Sequence, residues 1–309
     1  MRMDWPTVFV RFALYLDLAV LFGLPLFGTY ALRDREVTSQ TGARILVIST
    51  TLAGIGIALS VVNIVNMAKS MTGATSYADL QSHVFEMIVT GTDFGAAWVA
   101  RLVALTVCAI VGVHAGTSQR VRLGVVSISG GVALSTLAWA GHGAMDEGFR
   151  RYVHLSSDIA HLLAAGAWVG ALLAFLLISR PATTPSGVAL LSRASNGFAR
   201  IGTAIVLSLT VTGAVNYWLI VGPSLPEMSL TSYGGLLVAK LALFCMMLVL
   251  AAANRFHLSP RLARAVGSGD HAIAVVTLRR SLMFETSAAI LILILVAALG
   301  VLSPLPMSG

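Results

Sequence analysis

Eight apolar stretches, each long enough to cross a membrane, leave this chain few folds to choose from. A hydrocarbon core of about 30 Å takes about 20 helical residues. The stretches Val8–Tyr30, Ile45–Met67, Ala96–Gly116, Val121–Ala140, Ser156–Leu177, Arg200–Ile220, Leu236–Ala253 and Thr286–Leu302 meet that length. Composition agrees: 57% of the residues are apolar and 11% charged, against about 25% charged in a soluble domain. The sequence predicts an all-α polytopic membrane protein, a bundle of eight transmembrane helices. It forms one integral-membrane domain over residues 1–309, with membrane lipid around it.

The charges between the stretches predict an orientation. With the N-terminus outside, thirteen Lys and Arg fall on the cytoplasmic side and seven on the other, which favours N-out, C-out. This placement accounts for the net charge of +7 without a nucleic-acid partner. The start of the chain lacks a basic region followed by a short apolar run and a small-residue cleavage site, so the first helix is expected to stay in the mature protein. Cys108 and Cys245 both fall inside predicted helices, which argues against a disulfide framework.

One stretch concentrates chemistry. Trp139–Gly170 holds His142, His154 and His161, and a helix through its second half puts His154, Asp158 and His161 at i, i+4 and i+7. One face then presents imidazole, carboxylate and imidazole, while His142 and Met145 lie just upstream, where a short loop can fold them back. Imidazole suits copper and zinc, and thioether selects Cu(I). The stretch is therefore a candidate metal site at a membrane surface. Two plainer readings stand beside it. The histidines can be solvated at the interface, and Ser156, Ser157 and Asp158 make a good helix N-terminus on capping and dipole grounds.

Other features are less directed. Asp17 lies near the midplane of the first span, where a charge calls for a partner or a wet cavity; Arg11, Arg101 and Lys240 are the available cations. Pro25 is expected to kink or end that helix. The loop from Ala68 to Gly95 carries Leu80, Val84, Met87 and Ile88 at helical spacing and reads as an interfacial helix, with His83 or Met87 a lesser candidate for a metal path. Gly- and Ala-rich runs around Gly130 and Gly166 predict close helix packing. Of Cys245, Met246 and Met247, at most one or two can line a path. Ser-His-Asp order, a phosphate-binding glycine loop, H-E-x-x-H and C-x-x-C are all missing from the sequence, so no enzymatic activity is expected.

Several motifs in order carry a resemblance. They are V-R-F-A-L-Y and L-F-G-L-P-L-F-G in the first span, T-D-F-G-A-A-W-V-A-R from Thr92, and G-H-G-A at Gly141–Ala144. D-I-A-H-L-L-A-A-G-A-W-V-G follows from Asp158, then T-S-Y-G-G-L-L-V-A-K-L-A-L-F and A-A-N-R-F-H-L-S-P-R-L between Thr231 and Leu262, and R-R-S-L-M-F-E before the last span. With these the chain resembles the copper resistance D (CopD) family over nearly its whole length. The resemblance implies a bacterial inner-membrane protein that takes copper from the periplasm toward the cytoplasm, with a separate periplasmic copper-binding protein of the CopC type as a possible partner. It carries the family's G-H and D-x-x-H positions onto His142, Asp158 and His161; His154 and Met145 rest on spacing alone. The copper oxidation state is left open. A haem-binding electron-transfer bundle of the cytochrome b561 kind is the alternative of another class, and it needs histidine pairs on facing helices. A membrane scaffold in copper homeostasis is a third reading.

Overall fold

The computed structural model describes residues 4–114, 116–180, 184–223, 233–268 and 271–302; the side chains of His142 and of residues 266–268 lie outside it. The helices are α1 (Trp5–Ala31), α2 (Asp34–Val37), α3 (Gln40–Thr72), α4 (Ser82–Gly91), α5 (Asp93–Val113), α6 (Gln119–Ser135), α7 (Gly148–Ser179), α8 (Pro185–Ile220), α9 (Tyr233–Ala253), α10 (Ser259–Ser268) and α11 (Ala272–Leu299). Eight of them are long and apolar enough to span a membrane: α1, α3, α5, α6 with its 3-10 extension to Ala140, α7, α8, α9 continued to Ala265, and α11. The protein is a multi-pass membrane bundle.

α1 is the hub, packing on α3, α6, α7 and α11. Its tightest crossing is with α7, where a Cβ added to Gly23 would collide with the Gly166 carbonyl and lie 2.9 Å from the Gly170 Cα. Small residues at such positions let two backbones touch, and packing of this kind holds helices together in lipid. Pro25 does not end α1. It removes the N–H that would bond to the Leu21 carbonyl, and Gly130 of α6 lies against that carbonyl, with room for a Cβ only at 3.0 Å. α4 lies as an amphipathic cap on α3 and α5, with Val84 and Ile88 buried and Met87 and His83 exposed.

Three expectations change. The spans run longer than their apolar windows because helices continue into polar flanks. α11 begins at Ala272 rather than Thr286, so Glu285 sits mid-helix and 3% exposed instead of at a cytoplasmic end. α7 begins at Gly148, ten residues before Asp158, so Asp158 is not a capping residue. Asp17 is buried at 4% exposure, and neither carboxylate oxygen has a hydrogen-bond partner among the described residues. None of the candidate cations pairs with it among the described residues: Arg101 donates from Nε to Thr136 Oγ1 at 2.8 Å while its Nη1 and Nη2 have no hydrogen-bond partner there, and Arg11 and Lys240 line a cavity beside Asp158. Cys108 and Cys245 are both free thiols.

Candidate metal site

α6 does not run straight into α7. It tightens into 3-10 turns at Thr136–Ala140 and His142–Met145, and α7 then starts at Gly148, whose φ of 57° is in the left-handed region that glycine tolerates best. The second turn folds back over the first turns of α7. Gly143 lets it lie close: a Cβ there would stand 3.0 Å from His154 Cγ and 3.1 Å from Asp158 Oδ2. A larger residue would push the turn off the pair beneath.

Under that turn His154 is 1% exposed. Its Nδ1 lies 2.7 Å from Asp146 Oδ2, and the same carboxylate has Oδ1 3.5 Å from Arg150 Nε. An ionised carboxylate only accepts, so Nδ1 is assigned the proton and Nε2 the lone pair. Nε2 is buried and has no hydrogen-bond partner among the described residues, yet Asp158 Oδ2 stands 3.8 Å away. A proton on Nε2 would make no hydrogen bond at that distance. A metal ion, if bound here, would take Nε2 of His154 and Oδ2 of Asp158 as its donors. Asp146 would then be the carboxylate that orients a ligating imidazole from behind. Asp158 Oδ1 accepts from Asn216 Nδ2 of α8 at 2.8 Å, which fixes the other end of the carboxylate.

His161 lies about 10 Å further along α7 at 1.5 Å per residue. The Thr212 hydroxyl donates to the Ser208 carbonyl at 2.6 Å, so its oxygen accepts from His161 Nδ1 at 2.9 Å. This network assigns the proton to Nδ1 and leaves Nε2 of His161 as a lone pair. His161 and Asp158 line one cavity of about 180 Å³ together with Asn216, Lys240, Arg11 and Tyr15. The predicted imidazole, carboxylate, imidazole face thus becomes two groups that share Asp158: His154 on one side, the His161 cavity on the other.

The remaining expected ligands divide. Met145 is 75% exposed and takes no part in this cavity, and the His142 side chain lies outside the described residues. Among the described residues no three His, Cys, Asp or Glu side chains converge as a complete ligand set. His154 and Asp158 supply two donors. His154 and His161 share α7, and His257, in the π-turn that continues α9, is exposed, so among the described spans no facing pair of buried histidines is formed for a haem iron. Asp146, Asn216 and Lys240 were missed by sequence reasoning: Asp146 meets His154 only because the turn folds back, and Asn216 sits in the N-Y-W run that reads as an aromatic anchor.

Comparison with known proteins places the chain in a family. Residues 1–152 match the family model for the N-terminal domain of copper resistance protein D-like proteins, and residues 192–299 match the model for copper resistance protein D. Over 300 residues the chain is 48% identical to copper resistance protein D of Pseudomonas syringae pv. tomato, covering 96% of each. The chain belongs to the copper resistance protein D family. A second relative from this family comparison, inner membrane protein YebZ of Escherichia coli (strain K12), is 26% identical over 256 residues, 82% of this chain and 84% of that one. No solved structure matches. Membership in the copper resistance protein D family gives the chain a role in copper handling. Its His154, Asp158 and His161 fall in the stretch between the two matched models.

Proposed function

We propose that this protein captures copper at the end of the bundle where the 3-10 turns cover α7, and passes it toward the opposite end. The observation that carries the reading is the buried Nε2 of His154: its ring is fixed by Asp146, it lacks a proton partner, and a carboxylate oxygen stands 3.8 Å away. In a family named for copper resistance, a neutral imidazole beside a carboxylate is a copper-binding pair. His161 is the next nitrogen inward, and His142, on the covering turn, is a candidate third ligand.

The excess of Arg at the other end favours the inner bacterial membrane with the capturing end in the periplasm, hence uptake rather than export. A separate periplasmic copper-binding protein could deliver the ion there. The protein then acts as a transporter and needs no catalytic group.

The test is cell-associated copper at limiting external copper, with and without the gene. Expression should raise it, and His154→Ala and Asp158→Asn should each remove the rise. A fall on expression would overturn the direction, and an unchanged rise in both variants would overturn the site.

A further inference from the structure

Beyond His161 the bundle is not solid. The cavity shared by Asp158 and His161 meets a second, of about 620 Å³, to which His161 and Lys240 also belong. That one in turn meets a third, of about 270 Å³, and the residue common to both is Trp168. Three cavities therefore follow one another along α7, and the second and third are clefts open on the outer face between α8 and α9, where Trp218, Leu241 and Phe256 on their linings are exposed. Trp168 stands about 10 Å beyond His161.

The chemistry of the lining changes along the way. The middle cavity is mostly apolar, but Met247 of α9 faces it at 4% exposure, whereas its neighbours Met246 and Cys245 are exposed. Thioether sulfur is a neutral ligand that suits Cu(I); the lining also carries one cation, Lys240. At the far side, Glu285 Oε1 accepts from Trp168 Nε1 at 3.0 Å and Oε2 from Asn254 Nδ2 at 2.8 Å. Both oxygens keep a free lone pair. Asn254 Oδ1 is buried with no hydrogen-bond partner among the described residues. The nearest guanidinium on the same cavity, Arg255, donates to Thr203 Oγ1 at 2.6 Å, so no ion pair to Glu285 is formed among the described residues. A carboxylate held deep in a membrane bundle by neutral donors, beside an unpaired amide oxygen, is a place for a cation. Asn254 opens the π-turn Asn254–Leu258, and such turns recur at functional sites.

We propose that the copper ion crosses the bundle along this line of cavities, from His161 across the Met247 thioether to a second binding position formed by Glu285 and Asn254. The inference rests on the uptake reading for its direction but not for the existence of the inner position. Trp168 holds the boundary between the second and third cavities, its ring edge-on to Phe244 at 6.1 Å between centroids. The ion must displace that contact to pass.

The test uses the full-length protein, with copper(I) supplied anaerobically in a weak buffer as the probe. Two quantities are read: copper bound per protein in detergent, and copper entering sealed proteoliposomes. Glu285→Gln should fold, because Asn254 can turn its amide and keep both hydrogen bonds. It should lose one bound equivalent and slow entry on the order of ten-fold or more, while Asp158→Asn should lose the other equivalent. Met247→Leu should slow entry with both equivalents retained, and Met246→Leu should change nothing. Wild-type stoichiometry and entry in both Glu285→Gln and Met247→Leu would overturn the route and leave the outer site standing. Vesicles of wild-type protein that admit no copper would overturn route and transport reading together, whereas loss of an equivalent in Glu285→Gln alone would still establish the inner position.

Discussion

The proton on His154 Nδ1 is committed to Asp146, and that commitment leaves Nε2 free to bind a metal. Asp146→Asn keeps the shape but lets the amide donate to Nδ1, which would move the proton to Nε2 and block the ligand. Copper affinity of the purified protein, measured by competition with a chromogenic chelator, should fall about 10–100-fold; an unchanged affinity would show that the ring needs no such orientation. Gly143→Val should have a comparable effect, because its Cβ would stand 3.0 Å from His154 Cγ and push the turn away from the imidazole. At this scale the sequence was partly legible. His154 and Asp158 stand in register on any helix, so their pairing follows from spacing alone. Asp146, Asn216 and Thr212 reach the same side chains through a back-folded turn and a neighbouring helix, contacts no local pattern encodes. Asp158 also read as a helix cap, because the apolar window starts near Ser156 and conceals the two preceding turns.

Between elements, the contact of α1 with α7 depends on missing side chains. Gly23→Leu would force a branched chain into the Gly166 and Gly170 backbones and part the two helices. Overpacking of this kind costs about 1–3 kcal/mol or more, so the melting temperature in detergent should drop clearly, while the same change at Gly54 of α3, which faces open space, should not lower it comparably. The small-residue runs made this packing legible, though which helices would pair was not. Helix ends were less legible, since Arg193 and Arg200 in α8, and Arg279, Arg280 and Glu285 in α11, separate the first turns from the apolar window. A second inter-element tie lies outside the spans, where Glu36 of α2 accepts from Arg193 of α8 at 2.5 Å. Burial works against the charge of Glu36. The Arg193 hydrogen bond, the Arg33 backbone N–H and both guanidinium charges outweigh it and hold the carboxyl below its ordinary 4.5. Its folded value is depressed, so the stabilisation is complete at neutral pH and lost as pH falls through that lowered value. Glu36→Gln should cost about 0.5–1 kcal/mol at pH 7 for a partly exposed pair. The gap between wild type and variant melting temperatures should narrow below pH about 4.5; a gap that widens there would refute the assignment.

At the scale of the whole molecule, eight spans put both termini on one side, and the charge excess chooses which. Cysteine placed at Ser118, exposed in the turn between α5 and α6, should resist a membrane-impermeant thiol reagent in intact cells and react after lysis, in a Cys108→Ala, Cys245→Ala background. Rapid labelling of intact cells would reverse the orientation and with it the periplasmic placement of His154. The bundle was legible as eight helices because each span declares itself by length and hydropathy. The clefts between α8 and α9 were not, because they arise where the packing of whole helices leaves space between them. The central position of α1 also has a consequence for synthesis. α1 carries the buried Asp17, without a hydrogen-bond partner among the described residues, and the bare surface of Gly23, yet the helices that pack on it include α7 and α11, made later than α1. Until they arrive α1 must wait with that face against lipid or insertion machinery, so a chain stopped after α6 should be recognised as incomplete and degraded, and its lifetime in a pulse-chase would report how long an unfinished bundle can be protected.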